Sequence, residues 1–75
     1  MSAHNAERLA HMAEQIAASF HTLSDEQAAA AIAGHINQFW APPMRRDFLA
    51  SFAQDPAPLD RRVRLALKLI RPPRR

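Results

Sequence analysis

The stretch HINQFWAPPMRR, residues 35–46, contains the only tryptophan of the chain, two consecutive prolines and two arginines. Proline disfavours helical backbone angles in the residue before it and suits the first position of a helix. We therefore predict that one helix ends just before the prolines and that the next begins at Pro43, with Ala41 and Pro42 extended. The stretch is thus a corner between two helices, and it is called the corner below.

Apolar residues recur at the spacing of amphipathic helices on both sides of the corner. The predicted helices span approximately residues 5–20, 24–40, 43–53 and 60–70. In the second, Ser24 and Gln27 are spaced to form a capping box, and Asp60 is a suitable N-cap for the fourth. No strand pattern occurs. The sequence therefore predicts an all-α fold, a small bundle of about four short helices, arranged either orthogonally or as two helical hairpins folded on each other.

The apolar positions of each predicted helix define an expected core. Its members are Leu9, Met12, Ala13, Ile16, Ala17 and Phe20; Ala28, Ala29, Ile32, Ile36 and Phe39; Met44, Phe48, Leu49 and Phe52; and Leu59, Val63, Ala66, Leu67 and Ile70. His35 and Trp40 are expected at opposite edges of the second stripe. Leu65 and Leu69 project from another side of the fourth helix, and apolar residues on two faces suggest burial against another molecule.

The length of 75 residues predicts a single helical domain over residues 1–75. A chain of this size buries only about 60% of its unfolded surface, so its stability should be marginal. The final residues, RPPRR at positions 71–75, cannot continue a helix and are predicted to form a mobile basic tail.

Charge is divided unevenly along the chain. Residues 1–40 hold one arginine and four carboxylates, whereas residues 41–75 hold nine lysines and arginines and three carboxylates. This polarity suggests either an acidic partner surface or nucleic acid, or simply a solvated basic face. In a nucleic-acid module the third helix would deliver Arg45 and Arg46 to the major groove. Beyond Arg46, however, that helix offers Asp47 and alanines, which cannot make base contacts. A small basic helical nucleic-acid-binding module therefore stays as the alternative function, and the sequence favours it less.

The composition argues against chemistry carried by this chain alone. It contains no cysteine and one glycine, which excludes thiolate ligands for zinc or iron–sulfur clusters and a glycine-rich phosphate loop. The four histidines have no spacing that brings two of them together on a helix. We therefore expect no catalytic, cofactor-binding or metal-binding residues. No signal peptide and no membrane-spanning stretch is apparent, so we expect a cytoplasmic protein.

Three stretches resemble the delta subunit of soluble, NAD-dependent, molybdenum-containing formate dehydrogenases. They are RLAHMAEQIAASF at 8–20, AIAGHINQFWAPPMR at 31–45 and PLDRRVRLAL at 58–67. The family's MANQI-like stretch is matched by Met12, Ala13, Gln15 and Ile16, and its more specific HI-x-x-FW-D-P-x-MR stretch by His35, Ile36, Phe39, Trp40, Pro42, Met44 and Arg45. Two positions depart from the pattern: Ala41 replaces the usual Asp, and Arg61 replaces a usual Pro.

The resemblance implies an accessory subunit that takes part in no catalysis itself. Its partner would be the large catalytic subunit, which carries bis-molybdopterin guanine dinucleotide and iron–sulfur clusters, with FMN and NAD sites elsewhere in the complex. The implied role is to stabilise that subunit or to help it mature, and the sequence does not separate the two.

From this we predict a partner interface at the corner and on the second apolar face of the fourth helix. The candidate residues are Trp40, Pro42, Met44, Arg45, Leu65 and Leu69. For Arg45 two interpretations remain open. Its stem either packs over the core, or its guanidinium binds a carboxylate that the partner supplies.

Overall fold

The computed structural model describes residues 3–73, with side chains from Asn5 onward. Within this range the chain forms four helices and no strand: α1 (Ala3–Ala18), α2 (Asp25–Phe39), α3 (Pro42–Phe52) and α4 (Arg61–Leu67). The predicted all-α fold is confirmed. The most extensive packing joins α2 to α4, followed by that of α1 against α3 and α2.

Two helices begin where their capping residues predict. At the start of α2, Ser24 Oγ accepts from the Gln27 amide at 3.1 Å, and the Ser24 amide donates to Gln27 Oε1 at 3.4 Å. At the start of α4, a carboxylate oxygen of Asp60 accepts from the Arg62 amide at 3.1 Å. Each cap satisfies amides that a helix otherwise leaves without partners.

The start of α3 shows why Ala41 can stand where a capping side chain is expected. Ala41 is the N-cap with extended backbone angles and makes no side-chain cap bond, and Pro42 and Pro43 occupy the first two helical positions. Neither proline has an N–H group, so fewer amides need a partner. The Met44 amide donates to the Ala41 carbonyl at 2.9 Å. Our prediction that Pro42 is extended was wrong, because it is the first helical residue.

Two helices end two or three residues earlier than predicted. α1 ends at Ala18 rather than residue 20, and α4 ends at Leu67 rather than residue 70. In both places the chain tightens into turns whose bonds span three residues, such as Phe20 N–H to the Ala17 carbonyl at 3.0 Å and Leu69 N–H to the Ala66 carbonyl at 2.8 Å. Such tightening is common at helix C-termini.

One core joins residues from all four helices. Its buried members are Leu9, Ala13, Ala17, Ala28, Ala29, Ile32, Ala33, Ile36, Trp40, Phe48, Phe52, Leu59, Val63, Ala66 and Ile70. Other predicted core residues are half-buried at its margin, namely Met12, Ile16, Phe20, Met44, Leu49 and Leu67. One prediction was wrong: Phe39 is 64% exposed, whereas Trp40 beside it is buried.

Polar contacts tie α4 to the first half of the chain. The Arg62 guanidinium donates to Asp25 Oδ1 at 3.1 Å and to the Phe20 carbonyl at 3.2 Å. Glu14 Oε2 accepts from the Asp60 amide at 2.9 Å. Part of the charge difference between the acidic first half and the basic second half is therefore matched by contacts within the molecule.

Candidate partner interface

The corner places Trp40 in the core rather than on the surface. Trp40 is the C-cap of α2, and its side chain is only 5% exposed. Its ring packs edge to face on that of Phe48, which lies on α3, with ring centroids 5.4 Å apart. The side chain is not available to a partner as the predicted interface requires, so Trp40 is removed from the candidates.

Arg45 is held by the chain itself. Its Nη1 donates to the Trp40 carbonyl at 3.0 Å, and its Nε donates to the Arg71 carbonyl at 3.1 Å. The guanidinium therefore lies at the C-terminal end of α2, where the helix dipole favours a cation. These bonds account for the position of Arg45 without a carboxylate from outside. They also hold it away from the exposed geometry that major-groove binding would need.

Asn37 holds the same C-terminal segment from the other side. Its Nδ2 donates to the Leu69 carbonyl at 3.1 Å, and its Oδ1 accepts from the Arg71 amide at 2.8 Å. Together with Arg45, this side-chain amide fixes the backbone on both sides of buried Ile70. The two predicted parts of the interface, the corner and the region that follows α4, are therefore joined by hydrogen bonds from the side chains of Asn37 and Arg45 to the backbone of Leu69 and Arg71.

The remaining candidates differ in how much surface they offer. Pro42 is exposed, Met44 is half-buried against the core, and Leu69 is 50% exposed. Leu65 is half-buried and also packs against the core. The second apolar face predicted for the fourth helix is therefore reduced to Leu69, which lies in the turn after the helix.

The predicted tail is partly anchored. Arg71 bonds through its amide and its carbonyl to Asn37 and Arg45. These bonds tie the first residue of the predicted tail to α2 and α3, and the mobility of the segment stays a prediction. Positions 74 and 75, which the same prediction covers, lie outside the described residues.

Phe39 is the large exposed side chain that the sequence pattern misplaced. It is 64% exposed, and its ring contacts that of His35, one turn earlier on α2, with centroids 4.8 Å apart and the ring planes tilted by 42°. The rigid helix therefore presents an aromatic pair to solvent. The available signal was the FW pair itself: adjacent helical residues point about 100° apart, so the core stripe cannot hold both rings equally.

An open groove runs between α3 and α4 and is called the α3–α4 groove below. It has a volume of about 270 Å³ and is lined by Leu49, Ala53, Pro56, Arg64, Leu67 and Lys68. Its floor is apolar and its α4 edge is basic. Leu49 and Leu67 were predicted in the core, so the groove was not predicted from the sequence. The available signal was the pair of cations four residues apart, Arg64 on α4 and Lys68 at its C-cap.

No group of three histidine, aspartate or glutamate side chains that could hold a metal ion occurs in the described part of the chain. Within residues 3–73 no helix has the length and apolar character needed to cross a membrane.

Together these features define a small all-α protein whose surface carries an exposed aromatic pair and an apolar groove with a basic edge, as protein-binding surfaces often do. The family model for the NADH-dependent formate dehydrogenase delta subunit FdsD matches residues 8–67. The chain therefore belongs to this family of delta subunits, which confirms the resemblance drawn from its sequence motifs. Comparison with curated proteins and with solved structures finds no match.

Proposed function

We propose that this chain is a non-catalytic accessory subunit that binds the large, molybdenum-containing catalytic subunit of an NADH-dependent formate dehydrogenase in the cytoplasm. The observation that carries the proposal is the family match over residues 8–67. Binding would stabilise the catalytic subunit or help it to mature. Both roles need a surface that gains free energy when another protein covers it.

Phe39 supports a binding role because its exposure is costly in water. Fully burying a phenylalanine side chain contributes about 1.5–3 kcal/mol, and roughly two-thirds of that remains to be gained at 64% exposure. α2 is capped at its start and packed along its length, so little conformational entropy is lost when a partner covers the ring. We include Phe39 in the proposed interface together with Pro42, Met44 and Leu69.

The cofactors of the complex are proposed to lie in the other subunits. The donors of this chain do not fit bis-molybdopterin guanine dinucleotide, iron–sulfur clusters, FMN or NAD. There is no cysteine, the single glycine lies within α2, and the described side chains form no cluster of metal-binding groups. Formate oxidation therefore has no step assigned to this chain.

Co-purification tests the proposed function. The catalytic subunit is co-expressed with the tagged full chain, as wild type, Phe39→Ala or Gln38→Ala. We expect a stoichiometric complex with wild type and an affinity about tenfold lower with Phe39→Ala, which corresponds to about 1.4 kcal/mol. Gln38→Ala, a change at the adjacent exposed position, is the control and should bind as wild type. Failure of the wild-type chain to bind the catalytic subunit contradicts the proposal.

The two roles are separated by expressing the catalytic subunit without the delta subunit. A subunit with its full molybdenum content but a lower melting temperature indicates stabilisation. A subunit that lacks molybdenum, and that gains none when the purified delta subunit is added, indicates a role in maturation.

A further inference from the structure

We propose that the α3–α4 groove binds an acidic segment of the catalytic subunit that places an apolar side chain on the groove floor and a carboxylate on its basic edge. This inference rests on the proposed function and adds to the interface around Phe39 a second contact surface, with the chemistry of the segment that it binds.

The floor of the groove is apolar and firmly supported. Leu49 and Leu67 are half-buried and pack against the core from α3 and α4, respectively, so their outer surfaces stay in water while their positions are fixed. Ala53 and Pro56 continue the same surface along the loop that leaves α3. An apolar side chain laid here removes solvent-exposed surface on both molecules without reorganising the core.

The edge of the groove holds a guanidinium in a fixed position. Arg64 Nη1 donates to the Leu59 carbonyl at 2.9 Å, which holds the guanidinium at the edge of the groove. Its Nε and Nη2 atoms donate to no other described residue. These two atoms form the edge of a guanidinium that binds a carboxylate through two parallel hydrogen bonds.

Lys68, the C-cap of α4, adds a second cation four residues after Arg64. Among the described residues no carboxylate forms an ion pair with Arg64 or Lys68, although Asp25 and Asp47 pair with other arginines. Two adjacent cations without internal counter-charges favour an acidic occupant.

The dimensions favour a protein segment over an enclosed small molecule. The groove has a volume of about 270 Å³ and is open along one side. Small-molecule sites enclose most of their ligand in cavities of about 300–1,000 Å³. A shallow groove between two helices instead suits one or two side chains of a segment laid across it.

Lys68 provides a direct experimental probe because it is the only lysine of the chain. A carbodiimide joins an amine to a carboxylate in contact with it. Treatment of the co-expressed complex, followed by mass spectrometry, should link Lys68 to an aspartate or glutamate of the catalytic subunit. Lys68→Arg keeps the charge and should bind as wild type without this cross-link. Absence of any cross-link from Lys68 to the catalytic subunit in the wild-type complex overturns the proposal.

Affinity measurements test the two halves of the groove separately. Lys68→Glu reverses the charge of the edge, and Ala53→Trp fills the floor from an exposed position. Each should lower the affinity for the catalytic subunit at least tenfold while leaving circular dichroism unchanged. Arg8→Glu makes the same charge change on α1, outside the groove, and should bind within twofold of wild type. If one of the two groove variants unfolds, the affinity of the other tests the proposal.

The remaining outcomes identify which inference fails. Wild-type affinity for both groove variants overturns the groove proposal and leaves the proposed function standing. If the wild-type chain itself does not bind the catalytic subunit, both proposals fall. If the isolated chain forms a dimer, and Lys68→Glu and Ala53→Trp dissociate it, the groove binds a second copy of this chain. If wild type retains nucleic acid and Lys68→Glu does not, the groove binds the phosphates of nucleic acid. Either result overturns the proposal.

Discussion

Replacing Trp40 by alanine should test the fold rather than the interface. The indole is 5% exposed and packs edge to face on Phe48, so its removal leaves a cavity between α2 and α3. Truncations of this kind cost about 3–5 kcal/mol. A 75-residue domain has a total stability of about 4–11 kcal/mol, at 0.05–0.15 kcal/mol per residue, so the substitution removes at least a quarter of it and up to all of it.

Urea unfolding followed by far-ultraviolet circular dichroism measures this loss. With an m-value of about 1 kcal/mol/M, the midpoint for Trp40→Ala should fall by about 3 M or more, and the folded baseline should shorten or disappear. Phe39→Ala is the matched control. It removes the neighbouring, 64% exposed aromatic and should change stability by less than about 0.5 kcal/mol. A wild-type midpoint for Trp40→Ala, or a larger loss for Phe39→Ala, would show that the burial of these two rings has been assigned the wrong way round.

Three further substitutions test other contacts. Gly34→Ala should stabilise the chain by about 0.5–1 kcal/mol, seen as a higher melting temperature, because the added methyl group meets nothing within 4 Å and alanine favours helix; a lower melting temperature would contradict this. Asn37→Asp should lower the free energy of unfolding by about 1–2 kcal/mol in urea, because it places a carboxylate against the Leu69 carbonyl. An unchanged midpoint would show that this hydrogen bond does not contribute to stability. Arg62→Lys should lower the free energy of unfolding by about 1 kcal/mol in the same assay, because an ammonium cannot reach all the acceptors that the guanidinium binds. Arg61→Ala, which removes a more exposed ion pair, is the control and should have almost no effect. Equal losses for the two variants would contradict this distinction.

The sequence predicted those parts of the fold that depend on local chemistry. Ser24 with Gln27, and Asp60, place the starts of α2 and α4 because their side chains bond amides only two or three residues away. The prolines place the corner to within one residue because they restrict only their own backbone angles and those of the residue before them. Most of the core follows from helical periodicity, which is also a local property.

The parts that the sequence did not predict depend on contacts between distant segments. Helical periodicity puts Phe39 in the α2 stripe and Trp40 at its edge, whereas the structure exposes Phe39 and buries Trp40 against Phe48 of α3. The early end of α4 accompanies the bonds from Asn37 to Leu69 and Arg71, more than thirty residues away along the chain. The groove likewise depends on residues that are distant in the sequence, since Leu49 of α3 and Leu67 of α4 both line it.

The short length of α4 has a consequence for how the native chain opens. A seven-residue helix has no independent stability in water, where about 12–15 residues are needed for even marginal helicity. Arg62 holds one end of α4, and Asn37 holds the turn after the other. Its amide protons should therefore exchange with deuterated solvent only when α2 opens as well, so both helices should show the protection of global unfolding rather than of local fraying. We therefore expect α4, despite its seven residues, to belong to the most slowly exchanging part of the molecule.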